Sequence, residues 1–543
     1  MSKPFAITLD PGSSLANHTG SWRTKKPVYV DRLPPCNNAC PAGENIQRWL
    51  YWAESGDYER AWRSLVENNP FPAIMGRVCY HPCEGACNRA QIDQPVGIHA
   101  VERFLGDEAI QRAWKFLPPE TESGKRVLVV GAGPSGLSAA YQLRRLGHEV
   151  VVFEAGPMAG GMMRFGIPRY RLPREILDAE VARIEETGVR IRLNRRVDDL
   201  EAEMIEGKFD AAFLAVGAHL AKRAYIPAGD ASRILDAVSV LRTMETGETP
   251  MLGRRVLVYG GGNTAIDVAR SARRLGATEA VIVYRRTRDK MPAHDSELQE
   301  ALEEGVKVKW LSTIKQADEG AFVVEKMRLD ENGHPQPTGE FETMEADSLV
   351  LALGQDVDLG FLREVKGLEF DNGTLRVDER MMTGRAGVFA GGDMVPAERT
   401  VTVAVGHGKK AARNIDGWLR GEPYAGAGKP DLAVFPLLNP WYYTDAPKPV
   451  QALLNRARRE STFEEVVEGL HENNALFEAR RCLSCGNCFD CDNCYGVCPD
   501  NAVIKVPDGS GRHYAINYEF CKGCGMCAAE CPCGAIRMDA EVA

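Results

Sequence analysis

Between Cys87 and Cys482 the sequence has no cysteine at all, although the chain carries sixteen. Thiols used as small core hydrophobes would not avoid the largest region so completely. The gap also excludes a redox-active disulfide in the middle of the chain. No stretch approaches about 18 uninterrupted apolar residues, and the opening MSKPFAITLDPGSS has no apolar segment with a cleavage pattern, so a soluble, cytoplasmic protein with no membrane span is expected. Basic charge is not in excess: 66 Lys and Arg stand against 75 Asp and Glu, a net of −9. That balance makes no electrostatic case for nucleic acid or an anionic membrane as partner. Structural disulfides are not expected without a secretory signal, because the cytosol keeps thiols reduced, and metal or redox chemistry becomes the default. At 44% hydrophobic and 26% charged, the 543 residues are neither disordered nor collagen-like. At roughly 150 residues per domain they predict three or four domains.

The cysteines that are present lie at the two ends. Five are N-terminal (Cys36, Cys40, Cys79, Cys83, Cys87) and eleven fall between Cys482 and Cys533. Within the second group, Cys488, Cys491, Cys494, Cys498 and Pro499 form C-x-x-C-x-x-C-x-x-x-C-P, and Cys521, Cys524, Cys527, Cys531 and Pro532 repeat it. This is the bacterial ferredoxin run, in which three close thiolates bind one cubane and the fourth crosses to the other. The spacing therefore predicts one 4Fe-4S cluster on Cys488, Cys491, Cys494 and Cys531, and its twin on Cys521, Cys524, Cys527 and Cys498. A pair of structural zinc knuckles is the competing reading.

Residues 126–154 read RVLVVGAGPSGLSAAYQLRRLGHEVVVFE. An apolar β run enters Gly131-x-Gly133-x-x-Gly136, a helical stretch follows, and a second β run ends at Glu154. Gly131 permits the tight turn, Gly133 lets backbone approach a pyrophosphate, Gly136 lets helix and strand pack closely, and Glu154 is placed to accept from a ribose hydroxyl. A second unit, VLVYGGGNTAIDVARSARRLGATEAVIVYRR, repeats the pattern with Gly260, Gly262, Asn263, Thr264 and Ala265. Here the acid is missing, and Arg285 and Arg286 stand in its place. Guanidinium groups suit a 2′-phosphate, which favours NADP over NAD; two solvated arginines are the alternative, so the nucleotide stays open as NAD(P). A third signature, GVFAGGDMVPAERTVTVAVGHGKKAARNID, places Gly392 and Asp393 after a short strand, where Asp393 could bond a ribityl chain. The N-terminus of the helix that follows could face a flavin ring. Two further β runs ending at Gly217 and Gly354 read as domain crossings.

On these motifs the middle of the chain resembles the two-dinucleotide-binding-domain flavoproteins, specifically the NADPH-oxidising small subunit of glutamate synthase and its relatives. GRVCYHPCEGACNRA (Gly76 to Ala90) with Val96 to Asp107 is similar to that family's N-terminal cluster domain, so the resemblance spans about residues 33–420. It implies FAD, hydride passage from the nicotinamide to the flavin, and single electrons leaving through 4Fe-4S clusters, with no catalytic acid or base demanded. The thioredoxin-reductase-like branch of the architecture uses a C-x-x-C beside the flavin, which this chain lacks. Members of the family usually begin with a helix and R-C-L-x-C. Here that segment looks displaced to FEEVVEGLHENNALFEARRCLSC, Phe463 to Cys485. The family pairing implies one cubane on Cys40, Cys79 and Cys83 with a carboxylate at Glu102. Cys36 and Cys87 then need two more thiolates, for which Cys482 and Cys485 are candidates, giving four clusters. The alternative is a single N-terminal cluster on Cys40, Cys79, Cys83 and Cys87. Cys533 reads as a buried thiol, and His81 as a neighbour hydrogen-bonding the site.

The expected fold is α/β, with two Rossmann-like domains between an N-terminal α-helical iron–sulfur domain and a C-terminal ferredoxin-like α+β domain. The boundaries drawn are 1–119 for the helical domain, 120–245 and 357–420 for the two parts of the FAD domain, and 246–356 for the NAD(P) domain. A connector with the displaced helix covers 421–480, and the ferredoxin domain 481–543. Trp49, Trp52 and Trp62 read as core, and the Pro-rich FPLLNPWYYTDAPKPV is expected to lie along the flavin domain. The tail, YAINYEFCKGCGMCAAECPCGAI, resembles the ferredoxin-type subunit of 2-oxoacid:ferredoxin oxidoreductases. That resemblance implies an electron-transfer subunit serving a thiamine-diphosphate 2-oxoacid enzyme of the phenylglyoxylate type, or a soluble ferredoxin. Other readings are the reductase component of a glutamate synthase or sulfite-reductase-type enzyme, and a cluster-bearing structural subunit without turnover.

Overall fold

The computed structural model describes residues 18–222, 224–227, 233–318, 320–426, 428–506 and 513–541. Two five-stranded, wholly parallel sheets form its frame. The first runs Val388–Ala390, Ala211–Leu214, Arg126–Val130, Glu149–Phe153, Arg190–Arg192. The second runs Lys307–Lys309, Glu279–Val283, Arg255–Tyr259, Ser348–Leu351, Ile234–Asp236. Continuous apolar runs such as Val127–Val130 suit strands covered on both faces, and all four of these residues are buried. The first sheet is completed only when the chain returns from the second. Its two crossings turn at Gly217 (φ +71°) and Gly354 (φ +101°). They are stitched together where Leu220–Ala221 pairs antiparallel with Gln355–Asp356. Helix Val401–Arg420 lies against helix Pro134–Arg145 so closely that a Cβ on Gly408 would collide with the Ser135 carbonyl oxygen.

An antiparallel three-stranded sheet, Ser312–Asp318, Ala321–Leu329 and Pro335–Glu345, projects from the second unit and has no counterpart in the sequence reading. The N-terminal helices Ile46–Glu54 and Tyr58–Val66 are capped by Asn45 and Asp57, which accept from Arg48 N and Arg60 N. Trp49 and Trp62 are fully buried, while Trp52 is partly exposed beneath the Arg60 guanidinium, 3.4 Å from its ring centre. No helix of the described residues is long and apolar enough to cross a membrane.

Long-range packing redraws the two ends. Strand Lys25–Tyr29, inside the stretch 1–119 expected to form the helical iron–sulfur domain, pairs with Ile536–Ala540 and thus belongs with the C-terminal module. Helix Glu472–Arg480 packs back onto the N-terminal helices, where Ala475 and Ala479 are buried with Trp49 and Leu105. It is anchored there by Glu478, which accepts from Gly97 N, and by Arg481, which donates to Asp93 and to the Gln94 carbonyl. The connector does not follow the flavin-type sheet. It pairs Leu432 with Leu33, donates Asn439 N to Pro532 O at 3.1 Å and Ala446 N to Asp93 Oδ2 at 2.9 Å, and sets Arg459 on Glu304 of the second unit. A Pro-rich segment with little internal hydrogen bonding must satisfy its backbone on neighbours, and the polar groups around Asp93 and Pro532 supply the partners.

Candidate functional site

A cavity of about 360 Å³ opens at the carboxyl ends of the first sheet's strands, lined by Gly131, Gly133, Glu154, Gly392 and Asp393 among others. Gly131 has φ +104°, and a Cβ there would strike the Ala215 carbonyl oxygen. One on Gly136 would strike the Gly131 carbonyl oxygen, so the helix can sit this close only without a side chain. Gly133 differs: a Cβ there meets nothing nearer than Gly161 Cα at 3.9 Å, which leaves bare backbone facing the cavity. The Ser135 hydroxyl on the cavity wall is buried with no partner. No hydrogen bond to the Asp393 carboxyl is found among the described residues, and burial pushes it up, with Arg399 opposing. Unpartnered polar groups beside bare glycine backbone fit a dinucleotide. Glu154 holds the loop closed, accepting from Ala132 N at 2.8 Å and Gly156 N at 2.7 Å. Helix Val401–Arg420, capped by Thr400 on Val403 N, contributes Ala404 to the same wall.

The second fingerprint repeats this geometry. Gly260 has φ +151°, and a Cβ would strike the Ala352 carbonyl oxygen, whereas one on Gly262 would meet nothing within 4 Å. Ala265 is fully buried against the strand. Asn263 donates from Nδ2 to Tyr80 Oη at 2.7 Å and accepts at Oδ1 from His294 N at 3.0 Å, while Thr264 Oγ1 accepts from Gln355 at 3.4 Å. The Tyr80 ring stacks on His294 at 3.4 Å, so the N-terminal helical unit touches this fingerprint directly. Arg285 is exposed and Arg286 half-buried with Nε unpartnered; neither guanidinium pairs with a carboxylate among the described residues. Two cations left free at this strand end fit an anionic group.

The cysteines gather in four groups. Burial, and then the thiols of Cys40 and Cys79, push the Cys83 thiol up, and Glu102 belongs to the same neighbourhood. The Glu102 carboxyl is pushed well up by burial, then by Glu44 and Cys79. Asn69 Nδ2 bridges the two acids, donating to Glu44 Oε1 at 2.9 Å and Glu102 Oε1 at 2.8 Å. Cys36, Cys87, Cys482 and Cys485 line one small cavity, and Asn88 Nδ2 donates to Cys485 Sγ at 3.4 Å. In the C-terminal module Cys498, Cys521, Cys524 and Cys527 line another. Cys488, Cys491 and Cys494 lie around Cys531, whose thiol is lowered chiefly by its hydrogen bond with Cys533. Cys533 itself is buried, and Cys488, Cys491 and Cys524 reach the surface. All sixteen cysteines are free of disulfides. His81 donates its backbone N–H to Cys79 Sγ at 3.3 Å, while its ring stacks on His99.

Several members of the site carry no mark in the sequence. Thr402 Oγ1 donates to Cys79 Sγ at 3.1 Å and Tyr29 Oη lies 3.2 Å from Cys494 Sγ, across more than 300 and 400 residues respectively. Glu44 had a local signal, a carboxylate four residues after Cys40 that the structure buries.

Comparison with known proteins agrees with this geometry. The family described as pyridine nucleotide-disulphide oxidoreductase matches residues 101–408, dihydropyrimidine dehydrogenase domain II with a 4Fe-4S cluster matches 31–114, and a 4Fe-4S binding domain matches 514–537. The NADP(+)-dependent formate dehydrogenase subunit beta of Moorella thermoacetica is 37% identical over 83% of this chain and 70% of its own. The NADPH-Fe(3+) oxidoreductase subunit beta of Geobacter sulfurreducens is 33% identical over 85% and 77%. The glutamate synthase (NADPH) small chain of Azospirillum brasilense is 33% identical over 72% and 88%. With two glycine cradles, unpartnered polar groups beside them and cysteine groups at both ends, the chain belongs to the pyridine nucleotide-disulphide oxidoreductase family, as an oxidoreductase with FAD, NAD(P) and 4Fe-4S clusters.

Proposed function

We propose that the chain exchanges hydride between NADP(H) and FAD and passes electrons singly, through four clusters, to or from a partner subunit. The observation that carries this reading is Thr402. It sits in the first turn of the helix that supplies Ala404 to the cavity wall, and its hydroxyl donates to Cys79 Sγ at 3.1 Å, so cavity and nearest thiol group share one helix turn. When bound, FAD supplies two-electron chemistry with the nicotinamide and the clusters supply one-electron transfer.

The chain's own residues bind and orient. Gly131, Gly133 and Gly136 would cradle the FAD pyrophosphate, with Glu154 at a ribose and Gly392 and Asp393 along the ribityl chain. Gly260, Gly262, Asn263, Thr264 and Ala265 would hold the nicotinamide nucleotide, and Arg285 and Arg286 its 2′-phosphate. Cys40, Cys79, Cys83 and Glu102 would hold the cluster nearest the flavin, and Cys36, Cys87, Cys482 and Cys485 the next. The C-terminal module would hold two, on Cys488, Cys491, Cys494 and Cys531 and on Cys498, Cys521, Cys524 and Cys527. Its surface cysteines make it the natural place of exchange with a partner. The relatives are named as subunits or chains of larger enzymes, all three for NADP(+) or NADPH, which supports a formate-oxidising or glutamate-synthase-type partner. A 2-oxoacid-oxidising partner is supported only by the likeness of the tail. Sixteen cysteines with no disulfide among them suit the reducing cytoplasm.

The test is anaerobic dye reduction by the isolated chain. NADPH is expected to support turnover; failure with both NADPH and NADH would sink the reading in favour of a subunit without catalysis. Replacing Arg285 and Arg286 together with Gln should raise the KM for NADPH about tenfold to a hundredfold, since a charge-assisted hydrogen bond contributes about 1.5–3 kcal/mol. The KM for NADH should hardly change. An equal rise for both nucleotides would remove the arginines from the 2′-phosphate.

A further inference from the structure

The N-terminal arm makes contacts that hydride exchange does not use. Five residue pairs join Lys25–Tyr29 to Ile536–Ala540, and the ladder continues through Glu541 N to Thr24 O and Val30 N to Ala535 O, both at 2.9 Å. Gly20 N donates to Glu519 O at 2.8 Å, and Tyr518 Oη donates to Pro27 O at 2.8 Å. Gly523, between Cys521 and Cys524, lies so near the arm that a Cβ there would collide with the Lys25 carbonyl oxygen. Arg23, ion-paired with Glu541, donates from Nη1 to the Cys521 carbonyl oxygen at 3.0 Å. An arm held at this many points delivers one side chain to a sulfur: Tyr29 Oη, 3.2 Å from Cys494 Sγ. A cluster-bound cysteine is a thiolate with no proton to give, so the phenol is the donor.

The repeated C-x-x-C-x-x-C-x-x-x-C-P run makes the module's two cysteine groups look interchangeable, but their surroundings are not. Cys494 has Tyr29 and Cys531 has the Cys533 thiol, Sγ to Sγ at 3.7 Å. Among the described residues no side chain donates to Cys498, Cys521, Cys524 or Cys527; Cys498 Sγ accepts only from the backbone of Ala502. Reduction adds one negative charge to a cluster, and a donor aimed at its sulfur favours the more negative state.

We infer that the N-terminal arm is a working part of the C-terminal redox module, with the Tyr29 hydroxyl raising the reduction potential of the cluster on Cys488, Cys491, Cys494 and Cys531 above that of its twin. This rests on reading those cysteines as cluster ligands. The step concerned is uptake of one electron, drawn from the pair that reduced nicotinamide supplies, with Tyr29 keeping its proton and no bond made or broken. The symmetry of the motif is thereby removed, and electrons within the module settle on the group beside Tyr29.

The test is a potentiometric titration of the anaerobic full-length chain, followed by electron paramagnetic resonance. Tyr29→Phe removes only the hydroxyl. It should move the half-reduction point of one cluster to more negative potential by about tenfold in its reduction equilibrium, about 59 mV for one electron, with iron content and thermal midpoint unchanged. Tyr518→Phe removes a hydroxyl that holds the same arm through Pro27 but donates to no sulfur, and should leave every half-reduction point in place. Unshifted potentials in Tyr29→Phe at full iron content would overturn the inference alone, as would an equal shift in Tyr518→Phe, which would implicate the arm's looseness. A C-terminal module without iron would overturn both the inference and the ligand assignment.

Discussion

Replacing Cys482 and Cys485 together with Ser should remove about four of about sixteen irons per chain while the flavin stays bound. These two thiols share a small cavity with Cys36 and Cys87, and they reach it because helix Glu472–Arg480 docks onto the N-terminal helices. Glu478 and Arg481 hold that helix independently of the cysteines, so the segment should stay in place in the variant. On the proposed ligand sets, the cluster on Cys36, Cys87, Cys482 and Cys485 would draw its ligands from both chain ends and so stand between the N-terminal thiols and the C-terminal module. NADPH should therefore still bleach the flavin, while the module's clusters stay oxidised on the timescale of turnover. Iron and sulfide quantitation on anaerobically purified protein decides the matter. A parent value near about twelve, unchanged in the variant, would mean that Cys482 and Cys485 hold no cluster.

Gly133→Ala should strip the flavin from a chain that otherwise folds normally. The backbone there (φ −81°, ψ −178°) admits any residue, and the added Cβ approaches only Gly161 Cα, at 3.9 Å, so the protein itself has room for it. What it crowds is the anion that would lie against the bare backbone. Flavin per chain should fall at least about tenfold, with the thermal midpoint of the flavin-free protein unchanged; a displaced pyrophosphate contact of about 1.5–3 kcal/mol predicts that scale. Gly136→Ala is expected to behave differently, because its Cβ would run into the Gly131 carbonyl oxygen and close on Val129 Cγ1 at 3.2 Å. Overpacking of that kind costs about 1–3 kcal/mol of stability. Flavin absorbance and a thermal melt on both variants check the contrast. Equal destabilisation by both would mean that Gly133 is needed for the fold and not for an occupant.

Much of this architecture is legible because its chemistry is local. A glycine fingerprint places turn, cradle and packing contact within six residues, and the twin cysteine runs carry their own spacing. The grouping of Cys36 and Cys87 with Cys482 and Cys485 is implied by the family pairing, which leaves these four thiols over, and needs no knowledge of the path between them. The remainder is set by contacts between distant segments. Nothing in KKPVY announces that its partner is the final strand, and Pro27 within it argues for an edge rather than for any particular neighbour. Thr402 reads as an ordinary first-turn threonine until the helix is laid beside Cys79. The connector's course cannot be read locally, because a segment without periodicity takes the path its backbone partners dictate, and Asp93, Gln94 and Pro532 lie far from it in sequence. The three strands from Ser312 to Glu345 form a separate antiparallel sheet within residues 246–356, which the nucleotide fingerprint alone does not announce.

Because Cys482 and Cys485 are synthesised long after Cys87, a nascent chain emerging from the ribosome holds half of that site through the making of both parallel sheets. Regions complete in themselves can fold as they appear, whereas this one must wait for the far end of the polypeptide to return. If these four thiols hold the proposed cluster, its delivery would fall at the end of translation or later. A product truncated before Cys482 would keep both parallel sheets but only half of the proposed bridging site.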